Sequence, residues 1–172
     1  MERTIDRFYL HIFSKKNLIK SNCVETNLEI SLEKNPTLDL CKFFYKEVGK
    51  EFFWRDRLKW SEQEWLEYIN SNFFKLYILK HKNNFVGYYE LLYDNSTNSI
   101  EIPYFGIFKE FYGKGIGGYL LTNAILTAFE CPIDKVWVHT CTLDHPNALK
   151  NYLARGMKIF KTEKIFFNPE NL

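Results

Sequence analysis

The chain has 172 residues, 46% hydrophobic and 18% aromatic, so it is long enough to bury a sizeable core and is expected to form one globular domain over residues 1–172. Net charge is +2 with no basic block, which gives no reason to expect nucleic acid, and no long uncharged apolar run marks a membrane span. The first sixteen residues carry acids and no sustained apolar segment, so no signal peptide is read and a cytoplasmic protein is expected. Cys23, Cys41, Cys131 and Cys141 have neither CxxC spacing nor a histidine at metal-ligand spacing. They read as reduced thiols, and no metal is expected.

Arg7 to Phe13 reads as a first strand. Leu28, Ile30 and Leu32 alternate, which allows a short second strand. Pro36 and Thr37 precede a helical pattern with Leu38, Leu40, Cys41, Phe44, Tyr45 and Val48 on one face, and Gly49 is its expected stop. Trp54 to Trp60 is an aromatic, charged loop. Ser61 with Glu64 three residues on is a capping box, so a helix starts there. Phe73–Lys80 and Phe85–Tyr93 form a hairpin about Lys82-Asn83-Asn84.

Ser99 to Ile107 is read as one strand, with Glu101, Pro103, Phe105 and Ile107 on one face. A glycine cluster follows, Gly113-Lys114-Gly115-Ile116-Gly117-Gly118, and opens a helix that stops at Cys131-Pro132. Val136 to Thr142 is a β-branched strand. Asp144-His145-Pro146 reads as a helix start, with Asp144 as its cap, and Gly156 as its stop. Met157 to Phe167 supplies one or two final strands. Three consecutive strands on short turns, then a β–α–β crossover, predict an α/β domain (α+β by strand order). Its centre is a mixed, mostly antiparallel sheet of six to seven strands with helices on both faces.

Strand, glycine turn and helix together build an anion site, because glycines let backbone N–H groups converge and the helix N-terminus adds partial positive charge. Gly113, Gly115 and Gly118 satisfy GxGxxG, but they follow an antiparallel hairpin and leave too little chain for a doubly wound sheet. A nucleotide phosphate loop needs Ser or Thr after the Gly-Lys pair, and Gly115 stands there. A plain turn needs fewer glycines.

The stretch from Ile107 to Gly117, together with Ala148, Tyr152, Gly156 and Met157 one helix and one strand later, resembles the paired signatures of the GNAT superfamily of acetyl-CoA-dependent acyltransferases. The likeness runs from about Phe73 to Phe160, and the N-terminal third matches only in order of elements. Two positions depart from it: Tyr112 stands where Arg or Gln is usual, and His145 where many members have Asn.

The resemblance implies acetyl-CoA as co-substrate. Phe105, Ile107, Tyr112, Gly113, Lys114, Gly115, Ile116, Gly117, Gly118 and His145 would line its site. It implies Tyr152 as the acid toward the departing sulfur, with a core tyrosine as the alternative. Amide formation also needs a base, because a free amine is protonated at neutral pH. Glu101 fits that role, against an exposed strand carboxylate with none. Pro103 is tolerated where the strand splays from its parallel neighbour, which leaves the Ile107 N–H to meet the thioester carbonyl. Trp54 and Asp56 would wall the acceptor site, or form a packed surface loop. His139 reads as a structural histidine. The expected reaction is N-acetylation of a small-molecule or peptide amine by direct transfer, against a non-catalytic CoA-binding or protein-interaction module on the same fold. A homodimer is compatible with either.

Overall fold

The computed structural model describes residues 3–167. Within them the chain forms β1 (Arg3–Ile12), β2 (Leu28–Glu33), α1 (Leu38–Gly49), α2 (Glu62–Ile69), β3 (Phe74–His81), β4 (Asn84–Asp94), β5 (Ser99–Glu101), β6 (Phe105–Ile107), α3 (Ile116–Ala128), β7 (Lys135–Cys141), α4 (Ala148–Ala154) and β8 (Lys158–Phe167). Short 3-10 turns at Lys15–Asn17, Asp56–Lys59 and Lys109–Phe111 join some of these.

The sheet runs β2-β3-β4-β5-β7-β1-β8, with β6 paired to β4 beyond β5. Its one parallel pairing among the described residues is β5 with β7. The sheet is mixed and mostly antiparallel, as expected, but has eight strands. The extra count comes from Ser99–Ile107, which is not one strand. Glu101 pairs with Leu92, whereas Phe105 pairs with Tyr89. Three residues, Ile102, Pro103 and Tyr104, thus face two on β4, which is a β-bulge. The odd residue flips the side-chain parity. Glu101 and Tyr104 end on one face, Phe105 and Ile107 on the other, so the expectation of a single shared face is corrected.

Local signals fix the helix starts on the N-terminal side. The Thr37 hydroxyl accepts from the Leu40 N–H at 3.3 Å, and Ser61 and Glu64 form the complete capping box. The hairpin turn is Lys82-Asn83, both at positive φ, the two-residue geometry that matches strand twist.

The sheet separates two apolar cores. On one face α3 and α4 cover Leu10, Ile12, Tyr89, Leu91, Val136 and Val138. On the other, α1 and α2 pack Phe44, Tyr45, Val48, Trp65 and Ile69 against Phe74, Leu76, Ile78 and Tyr88. That second pair of helices covers only the β3–β4 side. From β1 the chain reaches β2 at the opposite edge along a strap that leans on α3 and α4. Ile19 N–H donates to Arg155 C=O, and Ser21 N–H to Thr122 Oγ1 at 3.0 Å.

Candidate active site

The centre of the site is a gap in the sheet. β5 and β7 pair from Ser99 and Lys135 only as far as Glu101 and Trp137, and the last bond between these segments runs from Ile102 N–H to Trp137 C=O at 2.9 Å. Beyond it β6 pairs with β4 alone, and β7 continues to Cys141, so the two strands part at Pro103. Phe108 N–H donates to Val86 C=O, and Glu90 N–H to Tyr104 C=O. By the alternation of an antiparallel ladder, the N–H groups of Phe105 and Ile107 therefore point away from β4, into the gap.

The glycine turn stands at the mouth of that gap. Gly113 and Gly115 have φ of +78° and +76°, a region that residues with a Cβ rarely adopt. Gly115 is the N-cap of α3 and makes no side-chain cap; the amides of Ile116, Gly117 and Gly118 lie in the first turn, where intrahelical acceptors are lacking. A Cβ on Gly113 would meet nothing within 4 Å. Amides without acceptors beside open space can hold an anion. Lys114 is exposed beside them. Two expected contributors behave differently. The Ile116 side chain is fully buried in the core, so only its backbone can serve. Gly118 is needed for packing, since a Cβ there would collide with Ser21 of the strap and with Arg155.

Tyr112 and His145, the two departures, touch each other: their rings meet edge to face at 4.9 Å, and Phe52 flanks His145 at 5.7 Å. His145 Nδ1 accepts from the Asn147 N–H at 3.0 Å, so in the neutral ring the proton sits on Nε2. The helix begins at Ala148, three residues after His145, and Asn147 is its N-cap. Asp144 does not cap it. Its carboxylate accepts from Thr140 Oγ1 at 2.6 Å, the Cys141 N–H at 2.9 Å and Trp54 Nε1 at 3.2 Å. It ties the end of β7 to the aromatic loop.

On the α1–α2 face, Glu101 is partly buried at 19% exposure, and its Oε1 lies 3.9 Å from His139 Nε2. Burial pushes its carboxyl up to about 7; Arg57 opposes the shift, and Glu90 and Asp94 add to it. Burial also lowers the His139 imidazole, and Arg7 lowers it further against Asp144 and Asp56. Both groups are thus driven toward their neutral forms, and their contact is not a firm ion pair. Beside them Asp56 accepts hydrogen bonds from Tyr45 at 2.7 Å and from Tyr104, while Trp54 packs on Tyr104 at 4.8 Å. Asp56 is itself exposed, so Trp54 and Asp56 form a wall next to Glu101's face. Behind that wall Arg57 (4% exposed) meets Glu90 (1% exposed) at 2.9 Å, with its guanidinium over Tyr68 and Tyr104 at 4.1 and 4.2 Å.

On the opposite face Tyr152 is buried beside Phe105, ring centroids 6.2 Å apart. Its hydroxyl hydrogen-bonds to no described residue, and burial raises its pKa strongly, so it keeps its proton. The sequence reading assigns no role of their own to Arg57, Glu90 or Tyr104, because each gains its place through partners distant in the chain. No group of three His, Cys, Asp or Glu residues that could hold a metal exists among the described residues, and no helix among them is long and apolar enough to cross a membrane.

The acetyltransferase (GNAT) family model matches residues 39–157, and the chain belongs to that family. Solved structures share its fold. One is a functionally unknown conserved protein from Staphylococcus epidermidis ATCC 12228, 15% identical with a TM-score of 0.68, matched over 96% of this chain and 62% of that one. Another is a GCN5-related N-acetyltransferase from Sphaerobacter thermophilus, 16% identical with a TM-score of 0.67, matched over 96% and 51%. A third is a GCN5-related N-acetyltransferase from Kribbella flavida, 11% identical with a TM-score of 0.65, matched over 98% and 60%. At these identities the likeness is one of fold, and this chain spans only about half to three-fifths of the length of these structures. No curated protein matches the chain.

Proposed function

We propose that the protein is an N-acetyltransferase that accepts an acetyl group from acetyl-CoA and passes it directly to a primary amine. The observation that carries this reading is the disposition of Glu101 and Tyr152 on opposite faces of the β6–β7 gap. A group threaded through that gap would meet a base on one side and a proton donor on the other.

Acetyl-CoA supplies an activated acetyl thioester. The amides from Gly113 to Gly118, with Lys114, fit its pyrophosphate. The inward amides of Phe105 and Ile107 fit an extended polar arm, and the Ile107 N–H is the donor for the acetyl oxygen. His145 Nε2–H offers a further donor at the mouth. Glu101 takes the proton of the amine, which Trp54 and Asp56 hold from the side. Tyr152, kept protonated by burial, hydrogen-bonds to the departing sulfur. The acceptor is a small-molecule or peptide amine. Residues 1–172 act as one cytoplasmic domain, alone or as a homodimer.

The test is thiol release from acetyl-CoA across a library of amines and peptides, with mass detection of the product. Amine-dependent release that falls in Glu101→Gln supports the reading. Tight acetyl-CoA binding with no release for any amine would make the protein a CoA-binding module.

A further inference from the structure

On the face that carries Glu101, the core beneath α1 and α2 takes in no described residue of β7, β1 or β8. There Tyr9 stacks with Trp137 at 6.5 Å and tilts against His139 at 5.9 Å, while His11 stacks on Phe160 at 4.6 Å. A register shift in β8 between the partners of Tyr9 and Leu10 brings Phe160 and Lys161 to the same side. The ladder is continuous with the site: Trp137 is Glu101's partner on β7, and His139 is the next residue on that face.

Arg7 lies at the far end of this ladder. It is the register partner of Cys141 on β7, one pleat from His139. Its Nε is buried and has no hydrogen-bond partner, and the guanidinium makes no ion pair with any described residue. Glu163 on β8 is its partner on the other side and feels its charge, but the direct contacts of that carboxylate are with the Tyr9 hydroxyl at 2.7 Å and with Lys161. A half-buried, unpaired guanidinium costs folding free energy, because the lost water is not replaced. Among the described residues nothing supplies this guanidinium with a direct counter-ion, and the carboxylate of a ligand would.

On the reading of Glu101 as the base, we infer that Arg7 anchors a carboxylate of the acceptor, so that the acceptor is a peptide-like amine with an aromatic or apolar body lying on Tyr9 and Trp137. Spacing sets the length. Glu101 aligns with Trp137 and Arg7 with Cys141, four residues along β7 and two strands apart. That places their Cα atoms ~16 Å from each other by ordinary strand geometry. Strand side chains stand roughly perpendicular to the sheet, so the two charged ends stay nearly as far apart as their Cα atoms, too far for the α-carboxylate of a free amino acid, which adjoins its amine. A carboxylate one residue further on fits.

The experiment compares Phe-Gly with Phe-Gly amide, two acceptors that differ only in the terminal carboxylate, with phenylalanine and phenethylamine as the short pair. The wild type is expected to favour Phe-Gly over its amide by about 10- to 100-fold in kcat/KM, the range of a charge-assisted hydrogen bond. Phenylalanine should gain little over phenethylamine. In Arg7→Met the Phe-Gly preference should fall to about one, with Arg7→Gln intermediate or equal. Calorimetric binding of the same ligands in the presence of CoA reads the preference independently of turnover. An inert Glu101→Gln effect would thus sink the base reading while leaving the Arg7 preference measurable. Denaturant unfolding should find Arg7→Met at least as stable as the wild type. No carboxylate preference in the wild type, a preference that survives Arg7→Met, or a loss of stability in that variant would each overturn the inference.

Discussion

Glu101 carries the pH dependence of the proposed chemistry. Its carboxyl, pushed up to about 7 by burial, must be ionised to take a proton from an amine. The rate constant kcat/KM is therefore expected to rise with pH through about 7 and then level. In Glu101→Gln this limb should vanish and the rate fall by about 10²- to 10⁴-fold. Stability moves the opposite way. A carboxyl whose folded pKa lies above its unfolded value holds more protons when folded, so its contribution is lost as pH rises from about 4.5 to about 7. Glu101→Gln should match the wild type near pH 4.5 and exceed it at pH 8, by on the order of 2–3 kcal/mol in denaturant unfolding. A variant less stable at both pH values would mean that the carboxylate serves the fold instead. Tyr152 answers to a different variable. Its buried, protonated phenol helps a poor leaving group most, so the deficit of Tyr152→Phe should shrink when the acetyl donor is a thioester of a more acidic thiol, with acetyl-CoA affinity unchanged. An equal deficit for both donors would leave Tyr152 no part in sulfur departure.

Between residues and elements the decisive feature is the bulge at Ile102–Tyr104. Signals that lie within a few residues were legible in the sequence: the Thr37 and Ser61 caps, the Lys82-Asn83 turn and the glycines that open α3. The bulge was not, because it is a count of three residues against two on β4, and β4 lies some ten residues upstream. A one-residue slip exchanges faces, and so the sequence put Glu101 with Phe105 instead of with Tyr104. Asp144 was misread for a related reason. Its position before a helix suggested a cap, while its Trp54 partner is ninety residues away in sequence. Arg57 and Glu90, 33 apart in sequence, hold the bulge from behind, since Tyr104 packs on the Arg57 guanidinium and Glu90 N–H donates to Tyr104 C=O. Removing one partner leaves the other charge buried. Arg57→Met should cost about 3–5 kcal/mol, and Arg57→Met with Glu90→Leu should recover most of that. Because Arg57 holds the Glu101 carboxyl down and Glu90 pushes it up, the kcat/KM limb should move to higher pH in Arg57→Met and back toward its wild-type position in the double variant. An unmoved limb in the single variant Arg57→Met would confine Arg57 to packing.

Across the whole molecule, the strap from Ser14 to Asn27 joins parts that the sheet keeps apart. It leaves β1 near one end of the strand order and delivers β2 to the far edge beside β3. On the way it crosses the N-terminal turn of α3, the same turn whose amides face the proposed pyrophosphate. Ser21 N–H donates to Thr122 Oγ1, Thr122 Oγ1 donates back to Gly118 C=O at 2.8 Å, and Cys23 Sγ lies 3.6 Å from Lys114 C=O. The absence of a side chain at Gly118 lets Ser21 and Arg155 approach the helix there. The strap is thus one wall of the glycine turn as well as a tether for the edge strand. Among the described residues, Thr122 is the single side chain that hydrogen-bonds to both. Thr122→Val keeps the shape and removes the oxygen, leaving the Ser21 N–H without its acceptor at a cost of about 1–3 kcal/mol. The loss should appear locally first, as faster tryptic cleavage after Lys20 with the β1–β7 amides still protected in hydrogen exchange. Acetyl-CoA affinity should fall in the same variant, because the turn loses the support that sets its amides. If cleavage accelerates and acetyl-CoA affinity does not change, the strap is a tether only and the glycine turn holds its shape alone.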